Sequence, residues 1–145
     1  MNCIFCDIIA RKAYAEILFE TNEIISFLDI RPVNYGHTLI IPKYHYQNFL
    51  DVPKAELEKL IVTTQFLTDA LFESLEPDGF NIFANNGTAA GQTVFHFHFH
   101  VIPRFDDDDF KFRLNLKTYS NNTMKNYADK IRLVISKSKR LKNEL

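Results

Sequence analysis

The stretch GQTVFHFHFHVIPR, residues 91–104, places three of the chain's five histidines on alternate positions. Alternation is the side-chain period of a β-strand, so residues 94–102 are predicted to form a strand with two different faces. The face that carries the imidazoles consists of His96, His98 and His100. The other face, predicted to pack into the core, consists of Phe95, Phe97, Phe99 and Val101. Because three buried imidazoles without partners would be costly, we expect the histidine face to meet a cleft or solvent.

The composition is typical of a soluble globular protein with one domain. Of 145 residues, 46% are hydrophobic and 24% charged, and the formal net charge is −1, so no basic field indicates a nucleic-acid partner. The apolar runs are far shorter than the roughly 20 residues that cross a bilayer, which argues against a membrane partner. The first residues, MNCIFCDIIARK, lack a basic leader followed by an apolar stretch. We therefore expect a cytoplasmic location.

Hydrophobic periodicity elsewhere predicts an α+β fold with a mainly antiparallel sheet. The predicted strands are ILFE (17–20), IISFLDI (24–30), HTLIIP (37–42) and GFNIFANN (79–86). Helices are predicted at residues 4–9, from Pro53 to about Leu75, and from about Thr123. The long helix has an apolar stripe of Leu57, Leu60, Ile61, Thr64, Leu67, Leu71 and Leu75, with Asp51 or Val52 near its cap. In the last helix, one face is predicted to be apolar; it consists of Met124, Tyr127, Ala128, Ile131, Val134 and Ile135.

Three histidines on one strand could bind a metal ion or take part in nucleophilic catalysis. A rise of roughly 3.3 Å per residue puts the Cα atoms of His96 and His100 about 13 Å apart, too far for all three rings to bind one zinc. The alternative is nucleophilic catalysis, in which a central imidazole attacks while its other nitrogen is held by an acceptor. Gly91, Gln92 and Thr93 offer main-chain N–H groups and a hydroxyl to an anion, which favours a phosphorus centre. Spacing alone leaves this choice open.

The heptad HFHFHVI resembles the signature of the histidine triad (HIT) superfamily, in which three histidines alternate with apolar residues. FLDIRPVNYGHTLIIPKYH (27–45) and NIFANNG (81–87) are similar to further motifs of that family. Because His100 stands where a uridylyltransferase would have Gln, the Hint-like branch fits best. The resemblance implies one HIT domain over residues 1–145, with its core at about 3–104 and a variable segment at 105–145. It also implies a five-stranded sheet, a long helix, a C-terminal helix and a homodimer with a continuous sheet.

The same resemblance implies hydrolysis of purine nucleoside phosphoramidates, derivatives of AMP or GMP. His98 would attack the α-phosphorus and form a nucleotidyl-histidine, and His100 and His96 would supply hydrogen bonds or a proton. The positions matching nucleotide and phosphate contacts are Asp29, Ile30, Asn85, Gln92, Thr93, Phe5 and Phe27. Simple turn or loop-closing roles remain alternatives for the polar ones. Two other functions also stay open, a dinucleoside polyphosphate hydrolase and a nucleotide-binding module with little turnover.

Cys3 and Cys6 form a C-x-x-C pair that is either half of a metal site or two packed thiols. A reducing compartment argues against a disulfide, and a redox pair would follow a strand rather than begin the chain. The family resemblance implies a structural zinc bound by Cys3, Cys6, His45 and His96, and no organic cofactor. His96 would then serve the metal, leaving most of the catalysis to the other two members of the triad.

Two remaining features are expected to be structural. His37, after Gly36, is expected to support the strand that it precedes. The acidic run Asp106–Asp109 is expected to form a solvated loop.

Overall fold

One antiparallel sheet of five strands organises the structure, a computed structural model that describes residues 3–111 and 115–138. In chain order its elements are α1 (Ile4–Ile9), β1 (Ile17–Glu20), β2 (Ile24–Leu28), β3 (Thr38–Pro42), α2 (Lys54–Leu75), β4 (Gly79–Phe83), β5 (Phe99–Arg104) and α3 (Thr123–Lys137). The strands lie in the order β1-β2-β3-β5-β4, and every neighbouring pair is antiparallel. The predicted α+β class and five-stranded sheet are therefore confirmed.

The middle of the sheet is buried on both faces because a helix packs on each side. Along β3, Ile40 joins the apolar cluster that includes Leu60 and Leu67 of α2. Its neighbours Leu39 and Ile41 join a second cluster with Phe5 and Ile8 of α1. Since successive side chains of a strand point to opposite faces, an unbroken apolar strand is what two covered faces require.

Helix α2 begins directly after Pro53, whose φ of −60° suits a helix start, and ends at Leu75, where the following Glu76 adopts the left-handed conformation. Pro53 itself occupies the cap position, and Asp51 and Val52 lie directly before it, near the cap as predicted. The buried face consists of Leu60, Thr64, Leu67 and Thr68, where each threonine hydroxyl donates to the carbonyl four residues earlier. The predicted stripe is correct in its centre but not at Ile61 and Leu75, which are exposed.

The predicted histidine strand begins later than the alternation suggests. The ladder of β5 starts at Phe99, so His96 and His98 precede it. The neighbouring strand β3 ends at Pro42, and before Phe99 a backbone hydrogen bond joins Phe97 N–H to Tyr46 O at 2.6 Å. Phe97 is fully buried as predicted, but Phe95 is exposed and does not join the core.

The chain divides into two compact units, Met1–Phe110 and Lys111–Leu145. The second unit contains α3, which carries ion pairs between Lys125, Asp129 and Arg132 along one side. Residues 139–145, part of the variable segment predicted at 105–145, lie outside the described residues. In the part of the chain that the structure describes, no helix combines the length and apolar character that crossing a membrane demands.

Candidate active site

His98 is buried, and one hydrogen bond determines which of its nitrogens carries the proton. Its Nδ1 lies 2.7 Å from the carbonyl oxygen of His96. Since a carbonyl oxygen only accepts, Nδ1 must donate, and Nε2 keeps its lone pair. Burial lowers the pKa of His98 below its ordinary value, opposed by the bond to His96 O and by Asp29. His98 is therefore a neutral imidazole at neutral pH with a lone pair at Nε2, as a nucleophile requires.

The expectation that the histidine face meets a cleft or solvent is wrong for two of its three members. His96 is 0% exposed and His98 only 6% exposed. Burial is tolerated because each ring bonds a backbone carbonyl, so neither imidazole enters the interior without a polar partner.

His100 is held by His37, a residue whose part in the site the sequence did not predict. His37 Nε2 lies 2.9 Å from His100 Nδ1, and His37 Nδ1 accepts a 3.3 Å hydrogen bond from Val33 N–H. His37 Nε2 must therefore donate to His100 Nδ1, which leaves the hydrogen of His100 on its Nε2. Among the described residues this buried Nε2–H has no hydrogen-bond partner. An unpaired donor thus lies beside His98, with 4.6 Å between the two ring centroids.

The carboxylate of Asp29 lies next to the His37 ring. Asp29 Oδ2 lies 3.7 Å from His37 Nδ1, while its Oδ1 accepts from Arg31 N–H at 2.8 Å. Asp29 therefore closes a turn, one of the two predicted roles, and also faces the buried histidine. Burial lowers the pKa of His37, and Asp29 opposes that effect. For His100, burial and then the neighbouring imidazoles lower the pKa to about 3, so the ring is neutral at neutral pH.

The other predicted nucleotide contacts are partly brought together. Phe5 lies edge-on to His98 at 5.1 Å and to Phe27 at 5.5 Å between ring centroids, and both phenylalanines are buried. The side chain of Ile30 lies elsewhere, at the surface, with 91% of its area exposed. The structure therefore joins Phe5 and Phe27 to the triad and leaves Ile30 outside their cluster.

The loop before the triad is closed by Gln92. Its Oε1 accepts from Gly87 N–H at 2.7 Å, and its Nε2 donates to Gln47 O at 2.6 Å and Val94 O at 3.2 Å. These bonds match the alternative role of loop closure. Asn85 makes one long bond, from Nδ2 to Gly91 O at 3.5 Å, and Thr93 is exposed. An open groove of about 570 Å³ passes Thr93 and Val94 toward Cys3 and His45, on the side of the cysteines rather than along His98 and His100.

The second cluster, called here the Cys/His cluster, consists of Cys3, Cys6, His45 and His96. Their ligand atoms all lie within 4.8 Å of one another. His96 Nδ1 is 3.6 Å from both sulfurs, and His45 Nδ1 is 3.3 Å from the Cys6 sulfur. A tetrahedral zinc with ordinary bond lengths separates S and N ligands by about 3.6 Å.

The proton of His96 is placed as a metal ligand requires. Its Nε2 donates to Pro42 O at 2.8 Å, so the lone pair of Nδ1 is directed at the cysteines. Burial lowers the pKa of His96 to about 4, which keeps the ring neutral. Burial and the neighbouring Cys3 raise the pKa of Cys6, because a second thiolate nearby is unfavourable without a cation. The donor set and its spacing fit one zinc ion, with His96 Nδ1 facing the cysteines and His96 Nε2 bonded to Pro42 O outside the cluster.

Comparison with known proteins gives a consistent result. The sequence model of the HIT domain matches residues 10–107. An uncharacterised HIT-like protein of Methanocaldococcus jannaschii is 45% identical over 106 residues, 73% of this chain and 81% of that protein. An adenylylsulfatase of Arabidopsis thaliana is 36% identical over 107 residues, 74% of this chain and 54% of that protein.

Solved structures agree in fold. A zinc-bound histidine triad family protein of Mycobacterium smegmatis is 41% identical, with a TM-score of 0.73 over 81% of this chain and 85% of that one. A histidine triad nucleotide-binding protein of Candida albicans is 32% identical, with a TM-score of 0.83 over 94% and 99% of the two chains. Because the domain match spans more than half of the chain and these relatives share both its sequence and its fold, the chain belongs to the HIT family.

Proposed function

We propose that this HIT protein hydrolyses purine nucleoside phosphoramidates through a nucleotidyl intermediate on His98. HIT proteins bind nucleotides and are generally nucleotide hydrolases or transferases. The observation that carries the proposal is that a nitrogen with a lone pair, on His98, lies beside a nitrogen with an unpaired hydrogen, on His100. His98 Nε2 keeps a lone pair because Nδ1 bonds a carbonyl, and His100 Nε2 offers an unpaired N–H beside it. A nucleophile next to a hydrogen-bond donor suits attack on an anionic phosphorus centre.

The first step makes one bond and breaks one. His98 Nε2 bonds the α-phosphorus, and the P–N bond breaks with its electron pair leaving on the amine. That amine needs a proton, because an amide anion is a very poor leaving group. In the second step, water attacks the same phosphorus and gives a proton to His100 Nε2, which donated its own in the first step. The His98–phosphorus bond breaks with its electron pair returning to His98 Nε2, and AMP or GMP leaves with the oxygen of that water.

The His37–His100 pair is suited to deliver the proton. One extra proton on the pair would rest on His37 Nδ1, replacing the bond from Val33 N–H and facing the carboxylate of Asp29 at 3.7 Å. His100 Nε2–H can then pass its proton to the amine while His100 Nδ1 takes the proton of His37 Nε2 across 2.9 Å. His37 keeps the proton on Nδ1, so the charges balance. Delivery of a proton favours an amine leaving group over a polyphosphate, which leaves without one.

The nucleotide would lie along residues that the sequence predicted. Phe5 and Phe27 provide an apolar wall beside His98, and the carboxylate of Asp29 suits ribose hydroxyls as a hydrogen-bond acceptor. The hydroxyl of Thr93 and the amide of Asn85 line the loop before the triad. An apolar wall discriminates weakly between bases, so the purine chosen is tested by comparing adenosine and guanosine substrates.

Zinc is proposed as a structural ion in the Cys/His cluster. Four protein ligands would fill a tetrahedral shell and leave no position for an activated water. The ion would join α1, which contributes Cys6, to the chain that leads into β5, which contributes His96. It would thereby hold the start of the triad in place.

A second copy of the chain is proposed to cover the outer face of α2 and the edge strand β4. Exposed apolar side chains on this surface are Ile61, Val62, Phe66, Phe72, Phe80 and Ile82. β4 forms one end of the described sheet, so a partner strand there would continue it, as the predicted homodimer requires. Phe66→Glu should yield monomers in sedimentation, whereas a wild-type protein that sediments as a monomer would contradict the dimer.

The function is tested by incubating the protein with adenosine 5′-phosphoramidate and, separately, with diadenosine tetraphosphate. AMP should appear faster from the first substrate, and denaturing quench during turnover should leave a nucleotidyl group on the peptide that contains His98. Faster cleavage of diadenosine tetraphosphate would assign the second hydrolase function. Binding of AMP without release from either substrate would assign a nucleotide-binding module instead.

A further inference from the structure

The side chain of Asp108 is largely buried, although it belongs to the acidic run that the sequence predicted to be solvated. Its side chain is only 7% exposed, whereas Asp106, Asp107 and Asp109 are exposed. Arg104 donates to both of its oxygens at 2.7 Å, from Nη2 to Oδ1 and from Nε to Oδ2. These bonds hold the pKa of Asp108 well below its usual range. The expectation of a solvated loop is therefore wrong at this position, because an ion pair with hydrogen bonds on both oxygens compensates burial.

The carboxylate is anchored to the sheet through Arg104. Besides Asp108, the guanidinium donates to Asn81 Oδ1 on β4 at 2.8 Å and to Phe110 O at 2.5 Å. The guanidinium carbon lies 4.7 Å from the centre of the Phe110 ring. The backbone N–H groups of Phe105 and Phe110 add bonds of 3.1 and 3.2 Å to Asp108. Asp108 thus has a set position at the end of β5.

From there, Asp108 reaches the loop that connects β2 to β3. Asn34 Nδ2 donates to Asp108 Oδ2 at 2.8 Å and to Pro103 O at 3.0 Å. Close by, the same loop passes Leu75 so tightly that a Cβ on Gly36 would lie 2.4 Å from Leu75 Cδ1. The loop is therefore fastened at Asn34 and confined at Gly36.

The fastened part of the loop makes two hydrogen bonds with His37. The carbonyl of Asn34 accepts from His37 N–H at 3.0 Å, and Val33 N–H donates to His37 Nδ1 at 3.3 Å. The second bond decides the tautomer of His37, and through the 2.9 Å contact it decides that of His100. Hydrogen bonds at Asn34 and Val33, which are adjacent in the backbone, thus connect Asp108 through His37 to the imidazole beside His98.

We propose that Asp108 is a positioning residue: by holding Asn34 it keeps Val33 N–H on His37 Nδ1, and so keeps the hydrogen of His100 on Nε2. If the loop shifts, His37 Nδ1 loses its donor and can carry a hydrogen toward Asp29 instead. His37 Nε2 then has a lone pair and must accept from His100 Nδ1. The hydrogen of His100 leaves Nε2, and the donor beside His98 is lost.

The tautomers are observable without any substrate. In full-length protein with ¹⁵N-labelled histidine, long-range ¹H–¹⁵N spectra distinguish protonated from unprotonated ring nitrogens. The wild type should show His37 and His100 protonated on Nε2, with His98 protonated on Nδ1 as an internal reference. Asp108→Asn should move His37 and His100 toward the Nδ1–H form, whereas the exposed neighbour Asp107→Asn, with the same loss of charge, should not.

A second variant separates positioning from folding. Asn34→Ala leaves the Asp108–Arg104 pair intact and removes the bonds of the loop to both Asp108 and Pro103 O, so it tests the fastening of the loop if Asp108→Asn fails to fold. It should give the same change of tautomers. Unchanged His37 and His100 signals in a folded Asp108→Asn or Asn34→Ala protein would overturn the inference.

The consequence for turnover rests on the proposed function. Because the affected donor faces the reacting phosphate, kcat for AMP release should fall about tenfold or more while KM changes little, by analogy with lost orienting partners of functional histidines. If the wild type releases no AMP, the proposed function fails, but the tautomer measurement still decides whether Asp108 positions these rings.

Discussion

Two histidine clusters flank His98, and each contains a triad ring that is protonated on Nε2. These two rings, those of His96 and His100, present opposite groups to their sites. In the Cys/His cluster, Nε2 of His96 donates to Pro42 O and Nδ1 presents its lone pair to two sulfurs. The other cluster consists of Asp29, His37 and His100. There, Nδ1 of His100 accepts a hydrogen bond from His37, and Nε2 of His100 presents a hydrogen. The difference teaches that the partner of one nitrogen decides the chemistry of the other. The first arrangement suits a cation, and the second suits an anionic phosphate.

The largest expected effect comes from the ring between the clusters. His98→Gln removes the nucleophile, so AMP release from adenosine 5′-phosphoramidate should fall on the order of 10⁴-fold or more. Zinc content should stay that of the wild type, because none of the four ligands is changed. Turnover at the wild-type rate in the folded variant would show that His98 is not the attacking group.

The next effect separates the Cys/His cluster from catalysis. Cys6→Ser should abolish zinc binding and lower the free energy of unfolding by about 4 kcal/mol when free zinc exceeds its Kd a thousandfold. Metal analysis after expression with added zinc, followed by urea unfolding, measures both quantities. Wild-type protein treated with a chelator is the matched control and should become as unstable as the variant. Zinc-free wild-type protein of unchanged stability would instead support two packed thiols.

The smallest effect is the pH dependence of stability from the other cluster. Folding lowers the pKa of His100 to about 3, so below pH 6.5 the unfolded chain binds a proton that the folded chain does not. Stability should therefore decline as the pH falls from 6.5 toward 4.5, by about 1 kcal/mol per pH unit for this residue. His100→Gln should flatten that slope.

This comparison is made in Cys6→Ser protein, so that competition between protons and zinc does not contribute. The remaining histidines titrate in both proteins, and the difference between the two slopes reports His100. Equal slopes would mean that the ring is protonated in the folded state, contrary to its burial.

Local patterns predicted most of the elements correctly. Residues 4–9 form a helix, the strands at 17–20 and 24–28 lie within their predicted ranges, and the long helix ends at Leu75. These features depend on neighbours within a few residues. Phe95 and Asp108 show where local patterns fail. Strand alternation predicted a core position for Phe95, but Phe95 precedes the hydrogen-bonded ladder of β5 and is exposed. The acidic run predicted a solvated loop, but Arg104, four residues earlier, forms an ion pair with Asp108 that keeps its side chain largely buried.

The sequence alone determined the α+β class, the family, and which residue types were available for a metal and for a phosphorus centre. Only the tertiary structure decided how each imidazole is used, because that depends on acceptors distant in sequence. Pro42 sets the proton of His96 across 54 residues, and His37 sets that of His100 across 63. A residue's identity is local, but the hydrogen bond that decides its tautomer and burial exists only once the strands have paired.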